Sequence, residues 1–212
     1  MHQAHDIEQA YDLAARDYAA RFFGELERKP LDRLLLTRFA ERVANASRVA
    51  DLGCGCGHTT RFLAEHGVED LVGVDYSRGM VTVARERSPH VEFVHGNMLA
   101  LDMPDASLGA ILAMYAIVHF DDSEIASAFR EFRRVLAPHA EVLLSFHTGE
   151  GEVRLTEFLG HETPLTFYYL DVDRVLEIAA QAEFDAAETV IRYPYPDVEF
   201  PSRRAYVTLK RR

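Results

Sequence analysis

The chain has 212 residues, 48% of them hydrophobic and 10% aromatic, the make-up of one folded domain with a sizeable core. With 34 acidic against 23 basic side chains its net charge is −11 at pH 7, which argues against a nucleic-acid backbone as primary partner, and Arg203, Arg204, Lys210, Arg211 and Arg212 read as a solvated tail. No run is long enough to span a membrane and Met1 to Asp6 are not followed by an apolar signal core, so a cytoplasmic location is expected.

Ile7 to about Phe23 carries Ile7, Tyr11, Ala14, Ala15 and Tyr18 at helical spacing. Tyr11, Tyr18 and Arg21 read there as packing groups with polar tips. Pro30 resets the chain, and Leu31 to Val43 follows as a second helix, so residues 1–46 form a helical preface. From Arg48 the rhythm becomes strand–helix alternation. Val49–Leu52 is a strand, His58–His66 a helix with Gly67 beyond it, and Leu71–Val74 a second strand ending on Asp75. Ser77 caps a helix through Arg87; Val91–Val94 and Leu108–Tyr115 are the next strands, with the turn Gly96-Asn97-Met98 between them. Asp122 or Ser123 caps a helix that presents Ile125, Phe129, Phe132, Val135 and Leu136 and that Pro138 ends, before a fifth strand over Glu141–Phe146. Strands separated by helices imply a parallel sheet covered on both faces.

Residues 148–170 break this rhythm with Gly149, Gly151 and Gly160 and the β-rich Leu165–Tyr169, and read as a lid. Within 171–212, Asp171 caps a helix to about Ala182, and Ala187–Tyr193 and Ala205–Leu209 read as an antiparallel edge pair. No internal repeat or low-complexity linker divides the chain, so residues 1–212 are expected to be a single domain with 47–147 as its core.

In an open α/β sheet, ligands bind beyond the carboxyl ends of the strands. Five segments converge there: Asp51 with Gly53, Cys54, Gly55, Cys56 and Gly57; Asp75; Gly96-Asn97-Met98; Met114-Tyr115 with His119; and Phe146-His147. A carboxylate at Asp75 can accept both hydroxyls of a ribose, which serves a dinucleotide and S-adenosylmethionine equally. The glycine loop separates the two. A dinucleotide fingerprint needs Gly-x-Gly-x-x-Gly, whereas the spacing here is Gly53-x-Gly55-x-Gly57. Asp51, just before the loop, would repel a pyrophosphate but suits a ligand with an ammonium and a sulfonium. The two cysteines, one residue apart, are too close for an ordinary disulfide and too few for a zinc site; they read as reduced small fillers, and no metal is expected.

On these residues the chain resembles the class I S-adenosylmethionine-dependent methyltransferases. The carrying segments are Asp51 to Gly57, Gly73-Val74-Asp75-Tyr76-Ser77 with Met80, Val94 to Met98, Met114 to His119, and Glu131 to Pro138. It is most similar to a group of small bacterial members with a Tyr-x-x-x-His segment after the fourth strand. The resemblance implies a Rossmann-like, doubly wound, mostly parallel seven-stranded sheet with an antiparallel C-terminal strand. It implies that the loop Gly53-Cys54-Gly55 lies under the methionine part of the cofactor and that Asp75 holds the ribose. Tyr76 and Met80 would flank the adenine, Gly96, Asn97 and Met98 would border its amino edge, Met114 would contact the cofactor, and Tyr18 would reach over the cofactor. Asn97 stands where the family often has an aspartate. Pro138-His139-Ala140 replaces a usual Pro-Gly-Gly, Gly109 a usual aspartate, and Ala182-Glu183-Phe184 a usual Ala-Gly-Phe.

Tyr115, His119 and His147 are the catalytic candidates, because they follow the strands toward which the methyl group should point. His119 can take a proton near neutral pH or be a histidine fixed by loop hydrogen bonds. The expected activity is methyl transfer to an O, N or S atom of a small molecule by in-line displacement, with a monomer or homodimer as the working unit; a non-catalytic cofactor-binding module on the same fold is the alternative.

Overall fold

A computed structural model describes residues 2–212. Six helices, α1 (His2–Phe22), α2 (Pro30–Val43), α3 (His58–Glu65), α4 (Arg78–Arg87), α5 (Asp122–Val135) and α6 (Val172–Gln181), accompany nine strands among these residues. β1 (Val49–Leu52), β2 (Leu71–Asp75), β3 (Glu92–His95), β4 (Leu108–Met114), β5 (Leu136–Thr148), β9 (Arg203–Arg211) and β8 (Phe184–Arg192) form one seven-stranded sheet in the order β3-β2-β1-β4-β5-β9-β8. β1 to β5 are parallel, and β9 runs antiparallel to both its neighbours. The order reverses between β1 and β4, which opens the crevice beyond their carboxyl ends.

β4 shows why the sheet is covered on both sides. Leu108, Ile111 and Ala113 join the cluster built with α5 and α6 (Phe129, Phe132, Val175, Ile178), while Ala110 and Leu112 join the cluster built with α2 and α3 (Leu36, Phe39, Phe62, Leu63). α1 belongs to neither layer. Ala15 and Ala19 pack on Met80 and Val83 of α4, and Asp12 Oδ1 accepts from Ser77 Oγ at 2.6 Å and Gly79 N at 2.8 Å. This clamp lays the helix across the carboxyl end of the sheet. No helix among the described residues is long and apolar enough to cross a membrane.

Several expected details shift. α5 is capped by Asp121, whose Oδ1 accepts from Ser123 N and Glu124 N, both at 2.9 Å, while Glu124 returns a bond to Asp121 N; Asp122 and Ser123 lie inside the helix. The helix stops at Val135 because Leu136 is already extended (φ −73°, ψ 145°), so Pro138 falls in an irregular start of β5. His139 and Glu183 adopt left-handed φ of 64° each, the conformation that glycine would take without strain at those two turns. Of the C-terminal pair, β9 is interior, with residues 204–209 buried, and β8 alone lies at an edge of the sheet.

Residues 148–170 are a hairpin of β6 (Glu152–Phe158) and β7 (His161–Tyr168), separate from the main sheet. It springs from the end of β5, where Leu170 N donates to His147 O. It also touches the β4–α5 connection through Tyr168 N donating to Val118 O at 2.8 Å. Phe158 meets Tyr11 of α1 edge-on at 5.3 Å. Glycine spacing and β propensity marked the segment, but the partners that position it are α1 and the β4–α5 connection, far away in sequence.

Candidate active site

A cleft of about 1300 Å³, its open mouth included, lies beyond the carboxyl ends of β1, β2 and β4, with α1 across it. Gly53, Gly55 and Gly57 turn the chain at left-handed φ of 71°, 55° and 82° between β1 and α3. At Gly53 a Cβ would come within 2.6 Å of Ala116 Cβ, so bare main chain faces the cleft there. Asp75 closes the loop from the next strand: Oδ2 accepts from Gly55 N and Oδ1 from Ser77 N, each at 2.8 Å. One bond per oxygen leaves each a lone pair for a ligand in the cleft. Burial holds this carboxyl up to about 6, against the two amide bonds; Asp51 and Asp12 add to the rise.

Gly53, Cys54, Gly55, Asp75, Tyr76, Met80, Gly96, Asn97, Met98, Met114 and Tyr18 all line the cleft. Asn97 Oδ1 accepts from Leu99 N at 2.9 Å and so shapes its own turn, and the Tyr76 ring stacks on His95 at 6.0 Å. Asp51 is not in the wall. Its Oδ2 accepts the hydroxyls of Thr59 and Thr60 at 2.7 Å each, and the residue is 1% exposed. The strand end points this carboxylate behind the loop, where it anchors α3. Burial pushes the Cys54 thiol far up, which keeps it protonated and inert.

At the other end stand Tyr115 and His119. Tyr115 holds a left-handed φ of 54°, a conformation that costs a tyrosine about 1–3 kcal/mol and tends to persist where function needs it. Its hydroxyl lies 3.3 Å from that of Tyr206, which donates to Asp32 Oδ2 at 3.0 Å. Behind this chain is a buried ionic network. Arg192 donates to Asp32 at 2.7 Å and to Glu199 at 2.6 and 2.8 Å, Arg204 stands 3.1 Å from Glu199, and Lys29 bonds Glu25 at 2.8 Å.

His119 lines the cleft, buried. Its Nδ1 lies 2.6 Å from the Thr166 carbonyl of β7, which can only accept, so Nδ1 carries the hydrogen. Nε2 therefore presents its lone pair to the Tyr11 hydroxyl of α1 at 2.9 Å. Burial lowers the imidazole to about 4, so it is neutral at physiological pH. His147 is not brought to the cleft. It bonds Ser202 Oγ at 2.7 Å behind Tyr115, the rings 5.1 Å apart, and burial with Arg204 and Lys29 lowers it to about 4.

Tyr11, Glu25, Asp32 and His58 are also in the wall and carried no site assignment from the sequence. Tyr11 and Tyr18, two turns apart on one helix face, were the available signal. Glu25 offered none: it sits in a short 3-10 turn, Glu25–Arg28, between α1 and α2.

A glycine turn at the switch point, an acid at the end of the next strand and a crossing N-terminal helix define an α/β protein built to hold a nucleoside cofactor. Residues 49–139 match the model of a methyltransferase domain. A methyltransferase of Bacillus subtilis is 32% identical over 72% of this chain, which spans 59% of that protein. The malonyl-[acyl-carrier protein] O-methyltransferase of Erwinia pyrifoliae is 30% identical over 91% of this chain and 71% of its own length. Among solved structures, magnesium protoporphyrin IX methyltransferase from Synechocystis with bound S-adenosylmethionine superposes with a TM-score of 0.72, at 15% identity, over 99% of this chain and 97% of that one. The chain belongs to the class I S-adenosylmethionine-dependent methyltransferases, and S-adenosylmethionine is the cofactor of that family.

Proposed function

We propose that the protein transfers a methyl group to an oxygen, nitrogen or sulfur atom of a small molecule. The observation that carries this reading is Asp75, half-buried beside the glycine loop with a free lone pair on each oxygen, at the strand end where a ribose would sit. Bound S-adenosylmethionine would supply an electrophilic methyl, which the acceptor atom takes in line as the S–CH3 bond breaks and S-adenosylhomocysteine leaves. In this reading Asp75 takes the ribose hydroxyls, Gly53 to Gly55 give main chain to the methionine part, and Tyr76, Met80, Asn97 and Met98 enclose the adenine. Among the described residues no lysine or arginine lines the cleft, while Glu8, Glu25, Asp32, Asp75 and Glu124 do, which favours a cationic cofactor.

The acceptor end is given to Tyr115, His119 and Tyr11. The tautomer set by Thr166 leaves Nε2 of His119 as a base, with the Tyr11 hydroxyl as its first proton donor. An acceptor proton passes to the Tyr11 oxygen as the Tyr11 proton moves to Nε2. His147 holds Tyr115 from behind rather than touching substrate. The hairpin acts as a lid, which orients the acceptor and keeps water out. A cleft crossed by α1 suits a small acceptor; the similar Erwinia pyrifoliae enzyme methylates an oxygen of malonyl-[acyl-carrier protein]. Calorimetry with S-adenosylhomocysteine, followed by its release over a panel of small acids, alcohols and amines, tests the reading. Binding with no turnover on any acceptor would turn it into a binding module; no binding at all would remove it.

A further inference from the structure

The carboxylates in the cleft wall differ in how their oxygens are engaged. Asp75 serves the cofactor end. Glu25 lies 2.8 Å from Lys29 Nζ and 3.2 Å from His58 Nε2. Glu124 accepts from Asp121 N at 3.1 Å, and Glu8 stands 3.7 Å from His95 Nε2 at the end of β3. Asp32 is the exception. It is 1% exposed, in the first turn of α2, and both of its hydrogen bonds fall on Oδ2, from Arg192 at 2.7 Å and Tyr206 at 3.0 Å. Among the described residues no donor reaches Oδ1, and that oxygen is not sealed in the interior; it opens onto the cleft that Asp32 lines. A carboxylate oxygen this deep without a donor is costly, and an arriving N–H relieves the cost. Burial holds the carboxyl above its ordinary value even against Arg192 and Lys29, so a further positive group beside it is favourable.

We propose that Asp32 is a specificity-determining residue for the methyl acceptor, its open Oδ1 accepting a hydrogen from an amino group, so that the protein takes small molecules bearing an amine rather than a carboxylate. This rests on the methyltransferase reading above, which leaves the acceptor's chemistry open. The fold puts Asp32 on the acceptor's side. Its partner Tyr206, on β9, pairs with Ser145 of β5, whose carbonyl accepts from Tyr115 N at 2.9 Å. Asp32 is thus tied to β4, β5 and β9, whereas the glycine loop and Asp75 lie beyond β1 and β2. The neighbouring cations are already committed. Arg192 divides its guanidinium between Asp32 and Glu199, and Lys29 lies between Glu25 and Glu199. A carboxylate brought to this place would face Asp32 and Glu25, with no lysine or arginine among the described wall residues to receive it. An alcohol could supply the hydrogen but not the charge. An amine supplies both.

Calorimetry on the protein saturated with S-adenosylhomocysteine, using benzylamine, benzyl alcohol and benzoate as probes, varies the polar group on a constant ring. Benzylamine should bind about tenfold or more tightly than either of the others. Asp32→Asn keeps an acceptor for Tyr206 but removes the charge. It should erase the preference while S-adenosylhomocysteine affinity stays within about twofold. Tyr206→Phe loosens the same network without touching Oδ1, and should retain the preference. Its loss in both variants would make Asp32 a strut for the wall and overturn the proposal. So would a preference that survives Asp32→Asn, equal binding of the three probes, tighter binding of the alcohol or the acid, or binding of none. Should Asp32→Asn fail to fold, the ranking in the wild-type protein still overturns or upholds the assignment. Each of these failures leaves the cofactor reading standing, whereas wild-type protein that binds no S-adenosylhomocysteine defeats both.

Discussion

The wall of the cleft beyond β1 and β2 is largely main chain and strand-end residues, whereas the wall beyond β4 adds side chains sent in from α1, the α1–α2 turn and α2, with the hairpin bracing His119 and Tyr11 from behind. At the first end the glycine turn, Asp75 and the turn at Asn97 lie within residues 53–98, and their key bonds join residues 2 to 20 positions apart. At the second end, Tyr115 leans on Tyr206, Tyr206 on Asp32, and His119 on Tyr11 and Thr166, links that span 47 to 174 positions. A site assembled from local backbone can be kept while the other end is rebuilt. That is the division expected of a scaffold holding one cofactor for many acceptors.

The comparison can be broken most severely at the buried network. Asp32→Ala would leave Tyr206 without its acceptor and Arg192 with Glu199 as its remaining carboxylate, at a cost of about 3–5 kcal/mol, or roughly 10 °C in melting temperature. Thermal unfolding checks this, and a drop of only a degree or two would show the network to be dispensable. Asp75→Ala is the matching blow at the cofactor end. Two charge-assisted contacts are lost, so S-adenosylhomocysteine should bind about a hundredfold or more weakly by calorimetry.

Changing pH sharpens the contrast without mutation. Because Asp75 is held up to about 6, its carboxylate is present above that value and protonated below it. Cofactor affinity should therefore fall as pH drops through about 6, and Asp75→Asn should flatten the profile; an equally steep profile in the variant would assign the effect elsewhere. At the acceptor end, Tyr11→Phe keeps the ring but removes the hydroxyl on His119. Turnover should slow about tenfold with S-adenosylhomocysteine affinity intact, as steady-state kinetics and calorimetry together would show. The smallest effect is expected far from both ends. His139→Gly relieves a left-handed backbone at the start of β5 and should raise stability by at most about 1 kcal/mol, leaving binding and turnover unchanged.

Much of the fold was legible because each parallel strand and covering helix is a short segment whose own periodicity declares it. Gly53, Gly55, Gly57 and Asp75 were legible for a related reason: a bare turn and a strand-end acid act from where the chain puts them. Asp51 shows the limit. Its position before the loop suggested a charge facing the ligand, but the direction of a strand-end side chain depends on its neighbours, and Thr59 and Thr60 drew it behind the turn. His147 fell the same way, toward Ser202.

The sequence by itself determined the alternation of strands and helices, the glycine turn and the acid on β2, because these follow from residue spacing over a few positions. Only the tertiary structure decided that Tyr11 meets His119, that Glu25 meets His58, and that Asp32 sits beneath Tyr115. Those meetings depend on how α1, the turn after it and the hairpin pack over the sheet. No local pattern encodes that packing, since its contacts join residues that are strangers along the chain.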